Sequence, residues 1–206
     1  MQYGDILGRL SALCERLSGD AKRVFSKLVV SDGVPTEALD DFEARLGFSI
    51  HGSLRTVWTE SASVDFEWSI KAAGCQVAGI DTRMAPSGQF RLLTPEESES
   101  EWSFLNDLGG SAMSSLLPFS KLEGSGELLV IDHQSESGAV ELVILNSDLS
   151  RVPLSPSLDS WLNDRIGTYF EDTSLQQTGT LDPVVQGTLE RLAAPEFNWP
   201  PPRVGW

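Results

Sequence analysis

The stretch Pro35–Trp68, PTEALDDFEARLGFSIHGSLRTVWTESASVDFEW, decides the fold. Leu39, Phe42 and Leu46 fall on one face of a helix. Pro35 and Thr36 suit its start, and Gly47 suits the position just past its end, where a positive φ is needed. Ser53 is placed to cap a second short helix that carries Leu54, Val57 and Trp58 inward. Val64, Phe66 and Trp68 then alternate with Asp65, Glu67 and Ser69, which is the period of a strand. None of these residues performs chemistry by its type. The segment reads as a folding nucleus that presents an acidic strand edge.

Upstream, Ile6, Leu7, Leu10, Leu13, Cys14 and Leu17 form a helical stripe. Asp20 is placed to cap a second helix with Val24, Phe25, Leu28 and Val29 inward. Downstream, Cys75, Val77 and Ile80 suggest a strand, and Phe90 to Leu93 alternate as another. Thr94-Pro95-Glu96-Glu97 reads as a capping box with proline at the first helical position. That helix continues through Trp102, Leu105 and Leu108 to Gly109-Gly110, with a small-residue linker at 111–115. After a turn at Gly124-Ser125-Gly126, the apolar run Leu128–Ile131 fits a strand buried on both faces. Ala139 to Leu145 completes a hairpin with it. Ser157 caps a last core helix with Leu158, Trp161, Leu162, Ile166, Tyr169 and Phe170 on one side. Asp182-Pro183 opens a further short helix, and Trp199-Pro200-Pro201-Pro202-Arg203 favours an extended polyproline conformation. The order predicts an α+β fold, a mainly antiparallel sheet flanked by helices, with an N-terminal helical pair. The expected boundaries are an N-terminal extension over 1–33, the main domain over 34–172, and a C-terminal helix and proline-rich tail over 173–206.

The chain has 206 residues and is 40% apolar, enough for a sizeable core. Its 30 acidic and 15 basic side chains give a net charge of −15. Such a surface repels nucleic acid and anionic membranes and speeds encounter with a basic partner. Residues 1–30 are slightly basic, so the acidity lies in the body of the domain. No apolar run approaches the ~18–20 residues of a membrane span, and no secretory leader is visible. Two cysteines without metal-ligand spacing fit a cytoplasmic protein with reduced thiols. The two histidines, His51 and His133, build neither a catalytic triad nor a zinc site. His133 beside Asp132 is no triad, since neighbours on a strand point to opposite faces. Gly124 and Gly126 lack the further glycine of a phosphate loop. No catalytic residue, metal or cofactor is expected.

Phe42-Glu43-Ala44-Arg45-Leu46-Gly47, followed by Phe66-Glu67-Trp68, resembles the opening of the SUKH superfamily. That is the fold of the Smi/Knr-type cell-wall regulators and of many bacterial toxin-immunity proteins. The resemblance continues through Leu117-Pro118-Phe119-Ser120, Gly126 to Asp132, and Gly138-Ala139-Val140, and covers roughly Val34 to Phe170. The chain departs from the usual pattern at Ile50-His51, where relatives carry Leu-Pro, and at Ser61-Ala62-Ser63, where they often carry Asn-Gly. The resemblance implies a non-enzymatic immunity protein that binds a cognate protein toxin and occludes its active site. Nuclease toxins are often basic, so an acidic inhibitor suits them. The alternative is a cytosolic regulator or scaffold of the Smi/Knr type that binds an endogenous protein. For charge at the interface the expectation falls on Asp65, Glu67, Glu96, Glu97, Glu99 and Asp132. For apolar anchors it falls on Trp68 and Trp102, although the alternating strand position of Trp68 favours the core.

Overall fold

The computed structural model describes residues 3–19, 21–79, 81–122, 126–145, 148–167 and 170. The expected C-terminal helix and proline-rich tail, Asp20 and Gly124-Ser125 lie outside the described residues. The fold is α+β, with a seven-stranded sheet whose strand order equals chain order. Its strands are β1 Val24–Val30, β2 Val64–Ile70, β3 Ser87–Leu92, β4 Leu116–Leu122, β5 Glu127–Asp132, β6 Val140–Ile144 and β7 Ser150–Ser155. The pairs from β3 to β7 are antiparallel. The helices are α1 Tyr3–Ser18, α2 Thr36–Leu46, α3 Gly52–Glu60, α4 Ala72–Ala78, α5 Pro95–Gly109 and α6 Leu158–Gly167. No helix among the described residues is long and apolar enough to cross a membrane.

The central motif forms as its spacing dictates. Leu39, Phe42 and Leu46 are the buried residues of α2, and Gly47 ends it in the left-handed region at φ 78°. The cap of α3 is His51 rather than Ser53: its imidazole accepts the Ser53 amide. Leu54, Val57 and Trp58 then point into the core. On β2, Val64, Phe66, Trp68 and Ile70 are buried while Glu67 is exposed.

Four elements differ from the sequence expectation. The second half of the N-terminal helical pair is strand β1. Val24, Phe25, Val29 and Val30 are β-branched or aromatic, and in a seven-residue segment that outweighs a helical spacing of apolar positions. The segment around Cys75 is helix α4, closed by Gly79 at φ 67°. Strand β4 is not among the expected strands, and neither is β7. The exposed Arg151 and Pro153 of β7 suit the last strand of a sheet, where a missing N–H costs no ladder bond.

The chain divides into two compact units. Of the described residues, the first contains 30–64 and 91–161, and the second 3–29, 65–90, 162–167 and 170. In the first, Leu105, Met113, Leu116, Leu128, Val130 and Val143 form one buried cluster, with Leu145 and Leu149 packed against it. The Trp58 ring meets Phe42 edge-on, and its indole N–H donates to the Leu93 carbonyl at 2.8 Å. In the second unit, Ile6, Leu10, Leu13 and Leu17 form the buried stripe of α1. Phe90 stacks on Phe170, which also meets Phe66. Trp68 and Cys75 are buried there as well.

Candidate functional site

Four of the eight expected interface residues share α5. The helix starts as its sequence prescribes: Thr94 Oγ1 accepts the Glu97 amide, and the Glu97 carboxylate accepts the Thr94 amide. Two neutral groups fasten the inner side of the helix. The buried Ser98 hydroxyl donates to the Pro118 carbonyl, at the point where the β4–β5 register shifts. The Trp102 indole N–H donates to the Ser114 carbonyl at 3.2 Å.

α5 carries five carboxylates and no basic residue, yet its charge is partly neutralised by neighbours. Glu97 pairs with Arg91 at 2.5 Å, Glu99 with Arg45 at 2.9 Å, and Glu101 with Lys121 at 2.5 Å. Glu99 grips Arg45 through both Nε and Nη2 and, helped by the nearby charges of Glu96 and Asp41, holds that guanidinium firmly charged. Glu96 and Asp107 have no ion-pair partner among the described residues and are exposed. Half-exposed pairs of this kind are each worth less than ~1 kcal/mol. Their larger effect is to fix the pattern of charge that a partner meets.

Asp132 reaches the neighbourhood of Trp102 through a ring stack. It closes β5, where its carboxylate accepts the Gln134 amide at 3.0 Å. The next ring, His133, lies flat on Phe48 at 3.8 Å, and Phe48 meets Trp102 edge-on at 5.6 Å. Burial pushes the His133 imidazole below its ordinary pKa, and the Asp132 charge opposes that shift. On the same loop as Phe48, His51 accepts the Ser53 amide at Nδ1 and meets the Glu136 carbonyl through Nε2, each at 3.3 Å. A proton on Nε2 satisfies both contacts, so the neutral ring fits this place. Both histidines thus tie the α2–α3 loop to the β5–β6 turn.

The remaining three expected residues belong to the second unit. Asp65 pairs with Lys27 at 2.5 Å. Glu67 is exposed on β2. Trp68 has no exposed surface and is part of the core, which removes it from the set of surface anchors. Trp102 is partly buried, with its polar end already bonded.

Two exposed apolar side chains on α5 fall outside the sequence expectation for the interface. Phe104 is 46% exposed and Leu108 52%. The sequence places Leu108 on the inner stripe with Leu105. At 100° per residue it lies about 60° round the helix from the buried Leu105 and about 40° from Phe104, and its exposure puts it on the outer line one turn beyond Phe104. A signal is present in the sequence: α5 has more large apolar residues than one stripe accommodates. Among the described residues, no group of three or more His, Cys, Asp or Glu is placed to hold a metal ion.

A model of the SMI1 / KNR4 family (SUKH-1) matches residues 33–164. No curated protein matches the sequence. The matched span begins just before α2 and ends within α6, so it takes in the whole of α5, the ring stack and the four antiparallel pairs from β3 to β7.

Proposed function

The chain belongs to the SMI1 / KNR4 family (SUKH-1), and on that premise we propose that it is a non-enzymatic immunity protein acting in the cytoplasm. It binds a cognate bacterial toxin and covers the surface the toxin's substrate needs. The family match over 33–164 is the observation that carries this reading. The net charge of −15 supports the mode of action, because an acidic inhibitor is steered toward a basic, nuclease-like toxin. Glu96, Glu97 and Glu99 on α5 and Asp132 at the end of β5 supply the proposed acidic positions of the first unit. Asp65 and Glu67 supply acidic positions on the second.

Co-expression with the product of the gene immediately upstream tests the proposal. The expected outcome is a stable complex together with rescue of growth. Its association rate should fall steeply with salt, by about tenfold or more across the range where steering is screened. A complex with a flat salt dependence removes the electrostatic mechanism and leaves immunity standing. A harmless neighbour and no complex overturn immunity and move the Smi/Knr-type regulatory role ahead.

A further inference from the structure

We propose that the outer line of α5, with Phe104 and Leu108 as anchors and Glu96 and Asp107 as its rim, is the surface that docks a basic protein partner. The proposal rests on the binding role inferred above and names where binding happens.

The two anchors stand apart from the rest of their helix. Ser98 and Leu105 face the core, and Trp102 is engaged by Phe48 and Ser114. Phe104 and Leu108 are the exposed large hydrophobic residues of α5, four positions apart and therefore side by side. Exposed aromatic and aliphatic side chains that form a pair on a regular element are what binding hot spots are made of. Their setting selects the occupant. Along the same side run Glu97 and Glu101, each holding one cation already. Toward solvent lie Ser100, Ser103 and the two carboxylates without an ion-pair partner among the described residues, Glu96 and Asp107. Ser100 and Ser103 are small, so they leave the anchors accessible. A second copy of this chain would bring the same carboxylates and the same −15 charge to the contact, which opposes self-association through this line. An apolar recess rimmed by Lys or Arg matches it in both shape and sign.

The geometry also explains why Arg45, Arg91 and Lys121 are placed as they are. Arg91 and Lys121 each neutralise a carboxylate beside the line, and Arg45 neutralises Glu99 on the far side of the helix. The charge left over is concentrated at Glu96 and Asp107 instead of being spread along the whole helix. A partner cation meeting either residue displaces no internal ion pair.

The test uses the full chain and the purified upstream gene product, inactivated at its own catalytic centre. Four variants are compared with wild type: Phe104→Ser with Leu108→Ser, Glu96→Gln with Asp107→Asn, Trp102→Phe, and Asp32→Asn with Glu60→Gln as a control of equal charge at positions on neither α5 nor its ion pairs. The apolar double variant should bind at least about thirtyfold more weakly through faster dissociation, with an unchanged thermal midpoint. Glu96→Gln with Asp107→Asn should slow association several-fold and flatten its salt dependence, more than the control pair does. Trp102→Phe should bind within about twofold of wild type, because its ring faces Phe48. Wild-type binding that the apolar double variant leaves intact overturns the surface and spares the immunity reading. Equal effects of the two charge pairs show a global field and overturn the rim assignment. A concentration-dependent dimer that the apolar variant dissolves assigns the line to a second copy and overturns the proposal. No complex with wild type overturns the immunity reading and this surface with it.

Discussion

Trp102 and Phe104 sit two residues apart on α5 and have opposite fates. The Trp102 ring is met edge-on by Phe48, which is itself covered by His133, and its N–H is bonded to Ser114. Phe104 is 46% exposed and continues into Leu108 at 52%. From residue type alone, tryptophan is the stronger hot-spot candidate. The helix decides otherwise, because two residues turn the side chain through about 200°. An aromatic whose polar end and ring already have partners gains little from a second protein. Phe104 keeps nearly half of its surface open for binding. The two sides of α5 therefore predict two kinds of variant: inner changes cost stability, and outer changes cost partner affinity.

The largest expected effect lies under the start of α5. Trp58 has no exposed surface, and it bonds the Leu93 carbonyl that immediately precedes the Thr94 cap. Trp58→Ala removes the ring, leaves a cavity beside Phe42 and strands that carbonyl. A loss of about 4 kcal/mol is expected, read as a lower urea midpoint with an unchanged m-value. If the loss were below about 1 kcal/mol, the inner side of α5 would not be the stabilising one, and the contrast with Phe104 would fail.

Legibility in the sequence followed the same division. Elements specified by local rules were readable. The Leu39, Phe42, Leu46 spacing with Gly47 specifies α2, the Thr94–Glu97 box with Pro95 specifies the start of α5, and β2 alternates residue by residue. The continuous Leu128–Ile131 run pairs with β4 and β6 as a doubly covered strand should. Readings failed where two patterns coexist. Val24, Phe25, Leu28 and Val29 satisfy a helical spacing, yet the same segment pairs as β1. Leu108 follows Leu105 by three positions and Phe104 by four, so helical spacing joins it equally well to either. Only the packing of Leu105 with Met113 and Leu116 settles which face goes in. Charge was readable as a total but not as a surface. Glu97, Glu99 and Glu101 are tied to Arg91, Arg45 and Lys121, which come from three other parts of the chain. The role of His51 depends on Glu136 and Gly138, about eighty-five positions away, and nothing local announces it.

A smaller effect is expected where the α2–α3 loop meets the β5–β6 turn. Gly138 has φ 65°, and a Cβ there would lie 2.5 Å from His51 Nδ1. The imidazole cannot simply swing aside, because Ser53 and Glu136 hold it from both ends. Gly138→Ala should therefore cost about 2–3 kcal/mol, from left-handed strain plus loss of the α3 cap. The thermal midpoint measures it. Pairing the change with His51→Ala sharpens the comparison: if the cost comes from the ring, the double variant should lose less than the sum of the two single losses. Additive losses would assign it to backbone strain alone.

The smallest effect is a pH dependence, and it separates the two sides of α5 without altering either. Burial against Phe48 keeps His133 below its ordinary pKa of about 6.5, with Asp132 pulling the other way. The unfolded chain therefore takes up this proton before the folded one does. The stability due to neutral His133 is complete above about pH 6.5 and is lost as pH falls through the lower folded value. Urea midpoints measured across that window should decline, and His133→Gln should make the decline shallower, since glutamine stacks on Phe48 without titrating. An equal decline in the variant would assign it to other groups. The outer line contains no histidine, so Phe104 and Leu108 should hold a partner equally well across the interval in which the inner stack begins to loosen. Affinity that tracked the stability decline would mean that the partner reads the His133 stack, and the inner side of α5 would then have to be counted as part of the interface.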